Sequence, residues 1–322
     1  MKRTLGDSIV FLMVILLVAT LAGCAKNEPG LDGPVSPSKK SGERLRVVTT
    51  FAPLYSFAVN VAGDVASVEN LVPVGASIHT FQSRPSDIKK LALADVLIMN
   101  GVGLEAFLSD IIDSASNPDL LIVDTSRSVS VLDAQEHKKD GGVGHEERGG
   151  GDPHIWLSPK NAIRQVEAIR DAFMEADSAN AKIYKKNASI YLERLRRLDV
   201  EIAESLHEVE KKDYIVFHNA YRYFELEYGL KSAAVIEEFP GKEPSPRYLK
   251  ELIDLIRNMG IHIIFTEPQF SPKLINALRQ ELDICTAELD PIGSELSKDG
   301  YEKNMRNNLK AFLEAFAKDS GQ

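Results

Sequence analysis

Short, unbroken apolar runs and longer amphipathic stretches alternate along this chain from residue 44 onward. RLRVVTTF (44–51) reads as a strand, and ADVLIMNG (94–101) and DLLIVDT (119–125) are continuous apolar runs. Such runs predict buried strands of a parallel sheet covered by helices, and the run at 66–72 predicts another. PLYSFAVNVAG (53–63) has Pro53 near its first turn and Gly63 at its end, the asymmetry of a helix. The second half repeats the scheme. YIVFHN (214–219), SAAVIE (232–237), IHIIFTE (261–267) and DICTAELD (283–290) predict strands. Residues 246–259 and 272–282 predict helices, with Ser245 and Ser271 as N-caps, each followed by Pro at the first helical position. PSDIKKLALADVLIMNG (85–101) and PSPRYLKELIDLIRNMGIHIIFTE (244–267) echo one another, both running from a Pro-Ser cap through a helix into an apolar strand. The pattern predicts an α/β protein of two Rossmann-like lobes, each a mostly parallel sheet flanked by helices.

Between the halves, neither Gly nor Pro occurs from position 160 to position 228. Ile183, Asn187, Tyr191, Leu195, Leu198, Ile202, Leu206 and Val209 step by fours and threes, and all but Asn187 are apolar or aromatic. This stripe predicts one long amphipathic helix over 178–211, roughly 50 Å at 1.5 Å per residue. It would be a stiff link rather than a hinge. The expected organisation is a first lobe over 44–177, the joining helix over 178–211 and a second lobe over 212–322.

The first residues differ in character. Lys2 and Arg3 precede an apolar run over 9–22 that is too short and wrongly flanked for a stable transmembrane helix. It ends in LAGC (21–24), a small-residue stretch closing on Cys24 that resembles a bacterial lipobox. The expectation is a lipoprotein signal peptide over 1–23, with Cys24 lipidated as the mature N-terminus; an ordinary signal peptide is the alternative. Residues 24–43 are rich in Pro, Gly, Ser and Lys and have little to bury, which predicts a flexible tether of at most about 60 Å. The chain has 38 Lys+Arg and 47 Asp+Glu. Removing Lys2, Arg3 and Asp7 with the signal leaves 36 against 46, a net charge of −10, which argues against nucleic acid as a partner. Apart from Cys24 the one thiol is Cys285, so no internal disulfide framework can form.

Candidate chemistry gathers at the predicted strand ends. His79 lies in VPVGASIHTFQSRPSD after the strand at 66–72. His154 lies in DPHIWLSP, beside the only tryptophan; His218 ends YIVFHN and Asp290 ends CTAELD. Ligands of open α/β sheets collect outside the carboxyl ends of strands. Two facing lobes would therefore bring His79 and His154 against His218 and Asp290. Three neutral imidazoles and one carboxylate suit Zn2+ and are too nitrogen-rich for Ca2+ or Mg2+. Each histidine taken alone is equally well a packed or surface residue; the joint placement carries the reading. His207 falls outside the helix stripe and reads as surface, and His262, one residue into its strand, reads as structural. AQEHKKDGGVGHEERGGG (134–151) is Gly-rich and charged, a loop containing His137 and His145.

GASIHTFQSRPSDIKKLALADVLIMNGVGLEAF, DPHIWLSP, FHNAYRYFELEYGL, FTEPQFSPKLINAL and LDPIG are spread over nearly all of the chain after residue 43. Together they resemble the metal-specific solute-binding lipoproteins of bacterial ABC importers, the zinc-uptake branch in particular. The resemblance implies two α/β lobes, one long linking helix and a metal held between the lobes. It also implies hand-over to an ABC permease and its ATPase by a monomer that is not an enzyme, lipid-anchored on the extracytoplasmic face of the membrane. The family pattern puts metal ligands at His79, His154 and His218, with Asp290 at the position of the acidic ligand in several branches. Manganese carriers often place a carboxylate where His218 stands, so a third imidazole favours Zn2+ over Mn2+ as the transported ligand. Ile78 stands where some zinc carriers have an acidic residue, and Cys285 lacks the disulfide partner that some have in the second lobe. The fourth ligand is Asp290 or water. Glu267, in TEPQF, is either a carboxylate orienting an imidazole from outside or a surface group at a strand end. The His- and acid-rich loop of zinc carriers falls on 134–151, where His137 and His145 amount to a weak auxiliary metal site at most.

The alternatives are a manganese carrier of the same family, a zinc-dependent hydrolase and an adhesin. The hydrolase would need a general base, and the chain has no HExxH. No feature of the sequence argues for cell adhesion.

Overall fold

The computed structural model describes residues 43–133, 150–237 and 241–319, all within the larger compact unit, residues 38–322. The expected signal peptide and Cys24, the tether up to residue 42, and His137 and His145 lie outside the described residues. Two four-stranded parallel sheets form the two lobes. The first comprises β1 (Leu45–Thr49), β2 (Ala66–Asn70), β3 (Val96–Met99) and β4 (Leu121–Asp124), in the order β2-β1-β3-β4. The second comprises β5 (Tyr214–Val216), β6 (Ala234–Val235), β7 (Ile263–Thr266) and β8 (Cys285–Glu288), in the order β6-β5-β7-β8. The two orders are the same. Helices α2 (Pro85–Leu93), leading into β3, and α7 (Pro246–Met259), leading into β7, thus hold equivalent places, which accounts for the echo in the sequence.

Local chemistry explains most of the boundaries. Helix α1 (Ala52–Ala62) ends at Gly63, whose φ of 56° suits a residue without a Cβ. The Ser245 side chain accepts a hydrogen bond from the Tyr248 amide and caps α7 as expected. Helix α8 (Lys273–Glu281) begins one residue later than the cap at Ser271 implies: Pro272 takes the N-cap position, and the Ser271 hydroxyl still accepts from the Lys273 amide at 3.4 Å. The other helices are α3 (Leu108–Ala115), α4 (Pro159–Ala176), α6 (Arg222–Tyr228) and α9 (Gly300–Asp319).

The joining element is a 3-10 turn over Ser178–Asn180 followed by α5 (Ala181–His207), about 40 Å long. It stops four residues short of the expected 211. Its buried face runs through Tyr184, Tyr191, Leu195, Leu198, Ile202 and Leu206. Ile183, expected to open that stripe, is 41% exposed; Tyr184 takes the buried place and donates its hydroxyl hydrogen bond to Asp177 at 2.8 Å. Asn187, the polar member of the stripe, donates to the Val61 carbonyl at the end of α1.

A second helix also bridges the lobes. Helix α9 packs on β7 and β8 of the second lobe and on α1 and α5. At its start, Ser56 and Asn60 of α1 donate to the Lys298 carbonyl at 3.0 and 2.7 Å, and the Tyr301 hydroxyl donates to the Trp156 carbonyl at 2.8 Å. One apolar core therefore runs from Phe51 and Phe57 through Tyr191 and Leu198 to Tyr214, Phe265 and Phe312. No described helix is long and apolar enough to cross a membrane.

Candidate metal centre

Each strand of the second lobe delivers an ionisable side chain just past its carboxyl end: His218 after β5, Glu237 after β6, Glu267 after β7 and Asp290 after β8. From the first lobe, His79 comes from the loop between β2 and α2. His154 comes from the segment ahead of a 3-10 turn (Ile155–Leu157) and α4. His79, His154 and His218 meet. The Nε2 atoms of His79 and His154 are 3.1 Å apart and those of His154 and His218 are 3.3 Å apart. Donors about 2.0–2.1 Å from a tetrahedral ion lie roughly 3.3 Å from one another, so both separations match the edge of a metal-coordination tetrahedron. Among the described residues these three form the only group of His, Cys, Asp or Glu with metal-ligand spacing.

The tautomers follow from the partners. His154 Nδ1 lies 2.8 Å from Asp152 Oδ1, and His218 Nδ1 lies 2.5 Å from Glu267 Oε1. An ionised carboxylate can only accept, so both Nδ1 atoms carry the proton. In the neutral form that metal binding requires, the rings turn bare Nε2 lone pairs toward a common point, an arrangement that suits a cation. Each carboxylate oxygen also accepts the backbone amide of the histidine it orients, at 3.0 Å for His154 and 3.2 Å for His218. No carboxylate is hydrogen-bonded to the His79 ring among the described residues. Burial, and then the neighbouring His154 and His218 rings, hold the His79 pKa well below its ordinary value, so the ring stays neutral. At Asp152, burial would raise the pKa, but the hydrogen bonds from the His154 ring and amide and the charge of Arg222 outweigh it and hold the carboxyl low.

The surroundings are apolar and rigid. Ile78, Trp156, Phe270, Pro291 and Ile292 line the cleft around the three rings. The Trp156 indole donates to the Pro291 carbonyl of the second lobe at 2.6 Å. Behind His154, the buried Glu105 accepts from the Asn100 amide at 2.6 Å, the Thr50 hydroxyl at 2.8 Å and the Gly101 amide at 3.1 Å. The Asn100 side chain then donates to the Pro153 carbonyl at 2.8 Å, fixing the residue before the ligand. Burial pushes the Glu105 carboxyl up to about 7 despite those donors.

The structure does not bring Asp290 into the histidine cluster. Its Oδ1 accepts from the Ile292 and Gly293 amides and from Gln269 Nε2, at 2.9–3.0 Å, and closes the turn after β8. Glu267 holds the His218 ring, the first of its two expected roles. His207 is exposed, and His262 ties its ring to the Asp283 carbonyl at 2.9 Å. Cys285 is a free thiol. Sequence reasoning missed Asp152. The signal was present in DPH, where Pro153 holds the chain so that an acid two residues ahead can reach back to the imidazole.

The family model described as ZnuA, zinc-uptake complex component A, periplasmic, matches residues 47–315. The zinc-binding lipoprotein AdcA of Streptococcus pneumoniae is 33% identical over 285 residues, or 86% of this chain, and this chain spans 56% of that relative's length. The manganese-binding lipoprotein MntA of Halalkalibacterium halodurans is 30% identical over 312 residues, covering 95% of this chain and 97% of its own. Among solved structures, FpvC of Pseudomonas aeruginosa in complex with Mn2+ matches with a TM-score of 0.77 at 32% identity, over 86% of this chain and all of that one. A crystal structure of ZnuA matches with a TM-score of 0.74 at 28% identity, over 85% of this chain and all of that one. With two parallel α/β lobes, a bridging helix and three facing imidazoles, the chain belongs to the ZnuA family, whose members are metal-binding solute-binding proteins and not enzymes.

Proposed function

We propose that this protein captures Zn2+ between its two lobes outside the cytoplasm and delivers it to an ABC-type permease driven by its ATPase. His79, His154 and His218 bind the ion through Nε2. The observation that carries this reading is the pair of Nε2 separations, 3.1 and 3.3 Å, among three rings of which two, His154 and His218, have Nδ1 committed to buried carboxylates. Three imidazoles on an apolar floor suit zinc, a borderline ion, better than manganese, which prefers oxygen donors. A tetrahedral ion needs one further donor. Glu267 Oε2, buried and without a hydrogen-bond partner, is one candidate; Asp290 Oδ2 and water are the others. Manganese carriage is the second reading, and the match to MntA over nearly the full length of both chains favours it. LAGC and the lipoprotein relatives support a lipid anchor on Cys24.

The test is titration of the apo protein with Zn2+, Mn2+ and Cd2+, with the bound metal identified by mass. One tight equivalent of zinc is expected, and its loss in His154→Ala. Tighter manganese than zinc binding would replace this reading with the second, and absence of tight binding to either would refute both.

A further inference from the structure

The segment that carries His154 belongs to the first lobe along the chain, yet two of its anchors lie in the second. Arg222 opens α6, four residues after His218. Its Nη1 donates to the Asp133 carbonyl at 2.7 Å and to Asp152 Oδ2 at 3.3 Å. The next residue, Tyr223, donates its hydroxyl hydrogen bond to the Asp152 carbonyl at 2.8 Å and accepts from the Leu132 amide at 3.0 Å. Asp152 is buried and its two oxygens are divided: Oδ2 faces Arg222 across the lobe boundary, and Oδ1 holds both the ring and the amide of His154. Nothing comparable serves the other two rings. Glu267, which orients His218, comes from the same lobe as His218, and the His79 ring has no carboxylate partner among the described residues.

We infer that Arg222 is a positioning residue that couples the approach of the lobes to the orientation of His154; this rests on the reading of the three imidazoles as the metal site. With the lobes together, the guanidinium restrains Asp152, and Asp152 fixes the His154 ring with Nε2 toward the ion. When the lobes part, the 3.3 Å contact is among the first to break. Asp152 then loses the partner that holds it, and the His154 ring loses its restraint. The tie therefore retards release of the metal. It has little bearing on capture, which starts from separated lobes. Lysine at this position would keep the charge, and because the single atom Nη1 makes both contacts, its ammonium group could replace the guanidinium in part.

The experiment uses the full chain and Zn2+, with dissociation followed by stopped-flow against an excess of chelator and association measured separately. Groups that orient metal ligands typically contribute about 10–100-fold to affinity. Acting one step further out, Arg222→Ala should raise the dissociation rate roughly tenfold and leave association within about twofold. Arg222→Lys should fall between, and apo-protein melting should hardly move. Combined with Asp152→Asn, Arg222→Ala should add nothing further, because both act through one carboxylate. An unchanged dissociation rate, multiplying effects in the double variant, or faster release matched by an equal drop in apo melting would each overturn the inference. Should Arg222→Ala not fold, Arg222→Lys and Tyr223→Phe carry the same comparison. His154→Ala separates the two levels: wild-type zinc affinity there would sink the site itself, whereas lost affinity there with normal release in Arg222→Ala sinks the coupling alone.

Discussion

Replacing His218 with glutamate tests both the ligand set and the carboxylate behind it. In the native protein, Glu267 Oε1 lies 2.5 Å from His218 Nδ1 and accepts its hydrogen bond. A glutamate at position 218 removes that donor and sets two carboxylates against each other in a site where both residues are less than a tenth exposed. Two like charges about 4 Å apart repel by about 4 kcal/mol at an effective dielectric of about 20. That is about three pKa units, so the pair should hold one shared proton at neutral pH. An incoming metal must displace this proton. Affinity for both Zn2+ and Mn2+ should therefore fall, and should become steeper in pH between about 6 and 8. The added hard oxygen compensates manganese more than zinc, so the ratio of the two dissociation constants should narrow without reversing, since zinc keeps its intrinsic advantage over manganese.

The assay is competition against a chelator at several pH values in wild type, His218→Glu and His218→Glu/Glu267→Gln. The double variant removes one of the facing charges, so its pH dependence should relax toward that of the wild type. An unchanged zinc-to-manganese ratio would show that His218 does not touch the metal. A changed ratio without the steeper pH dependence would show that Glu267 does not face position 218 in solution.

Four further outcomes are expected, two from this geometry and two from the sequence alone. Below pH 6.5 the unfolded chain takes up a proton at His79 that the folded apo protein resists, so stability rises with pH in that range; apo melting should fall as pH drops from 7 toward 5, and more than one proton should be taken up per zinc released over that interval, whereas flat profiles would contradict the crowded imidazole site. Glu105→Gln keeps an oxygen for only one of the Asn100 and Gly101 amides, turns its NH2 toward the other, and should cost about 1–3 kcal/mol in urea unfolding; no loss would mean that the Asn100 turn does not depend on it. Cys24→Ala should leave the protein uncleaved or released while the folded part still binds zinc, and unchanged membrane partitioning would rule out the lipid anchor. Replacing His137 and His145 with alanine should leave the tight site intact and remove at most a weak second equivalent; loss of the tight site would show the ligands to be misassigned.

Both sheets were legible because strands such as β3, β5 and β7 are apolar runs, and the three histidines because strand ends are where such sheets place ligands. Residues were lost where the deciding contact is remote in sequence. The stripe on α5 was placed one residue off at its start, since steps of three and four fit both Ile183 and Tyr184, and only packing against α4 chooses the tyrosine. The bridging role of α9 was invisible, because an amphipathic pattern shows that a face is buried and not what it is buried against. Asp290 stands at its expected strand end, but DPIG is itself a turn sequence. The free amides of Ile292 and Gly293 claim Oδ1, and no periodicity reveals which way the carboxylate turns. Arg222 lies in the quoted FHNAYRYF stretch, and its target, Asp152, is 70 residues away.

The way the lobes are joined limits how the site can discriminate among ions. Helix α5 buries Tyr184 through Leu206 against its neighbours, and α9 locks a second span across the boundary through Tyr301, Ser56 and Asn60. A core shared by both lobes resists wide opening, because separating Phe57 from Tyr301 or Tyr191 would expose fully buried aromatic rings to water. Zn2+ and Mn2+ also carry the same charge, so long-range attraction cannot tell them apart. What remains is the donor set and how firmly each donor is held. His218 and His154 are backed by Glu267 and Asp152, which keep their Nε2 atoms in place. Among the described residues His79 has no such carboxylate partner. On the proposed zinc reading, three imidazoles, two of them held in this way, would favour an ion that accepts nitrogen donors in a compact tetrahedron over one that needs six oxygen-rich contacts. On the proposed reading, selectivity on this scaffold depends on the two orienting carboxylates as well as on the three imidazoles.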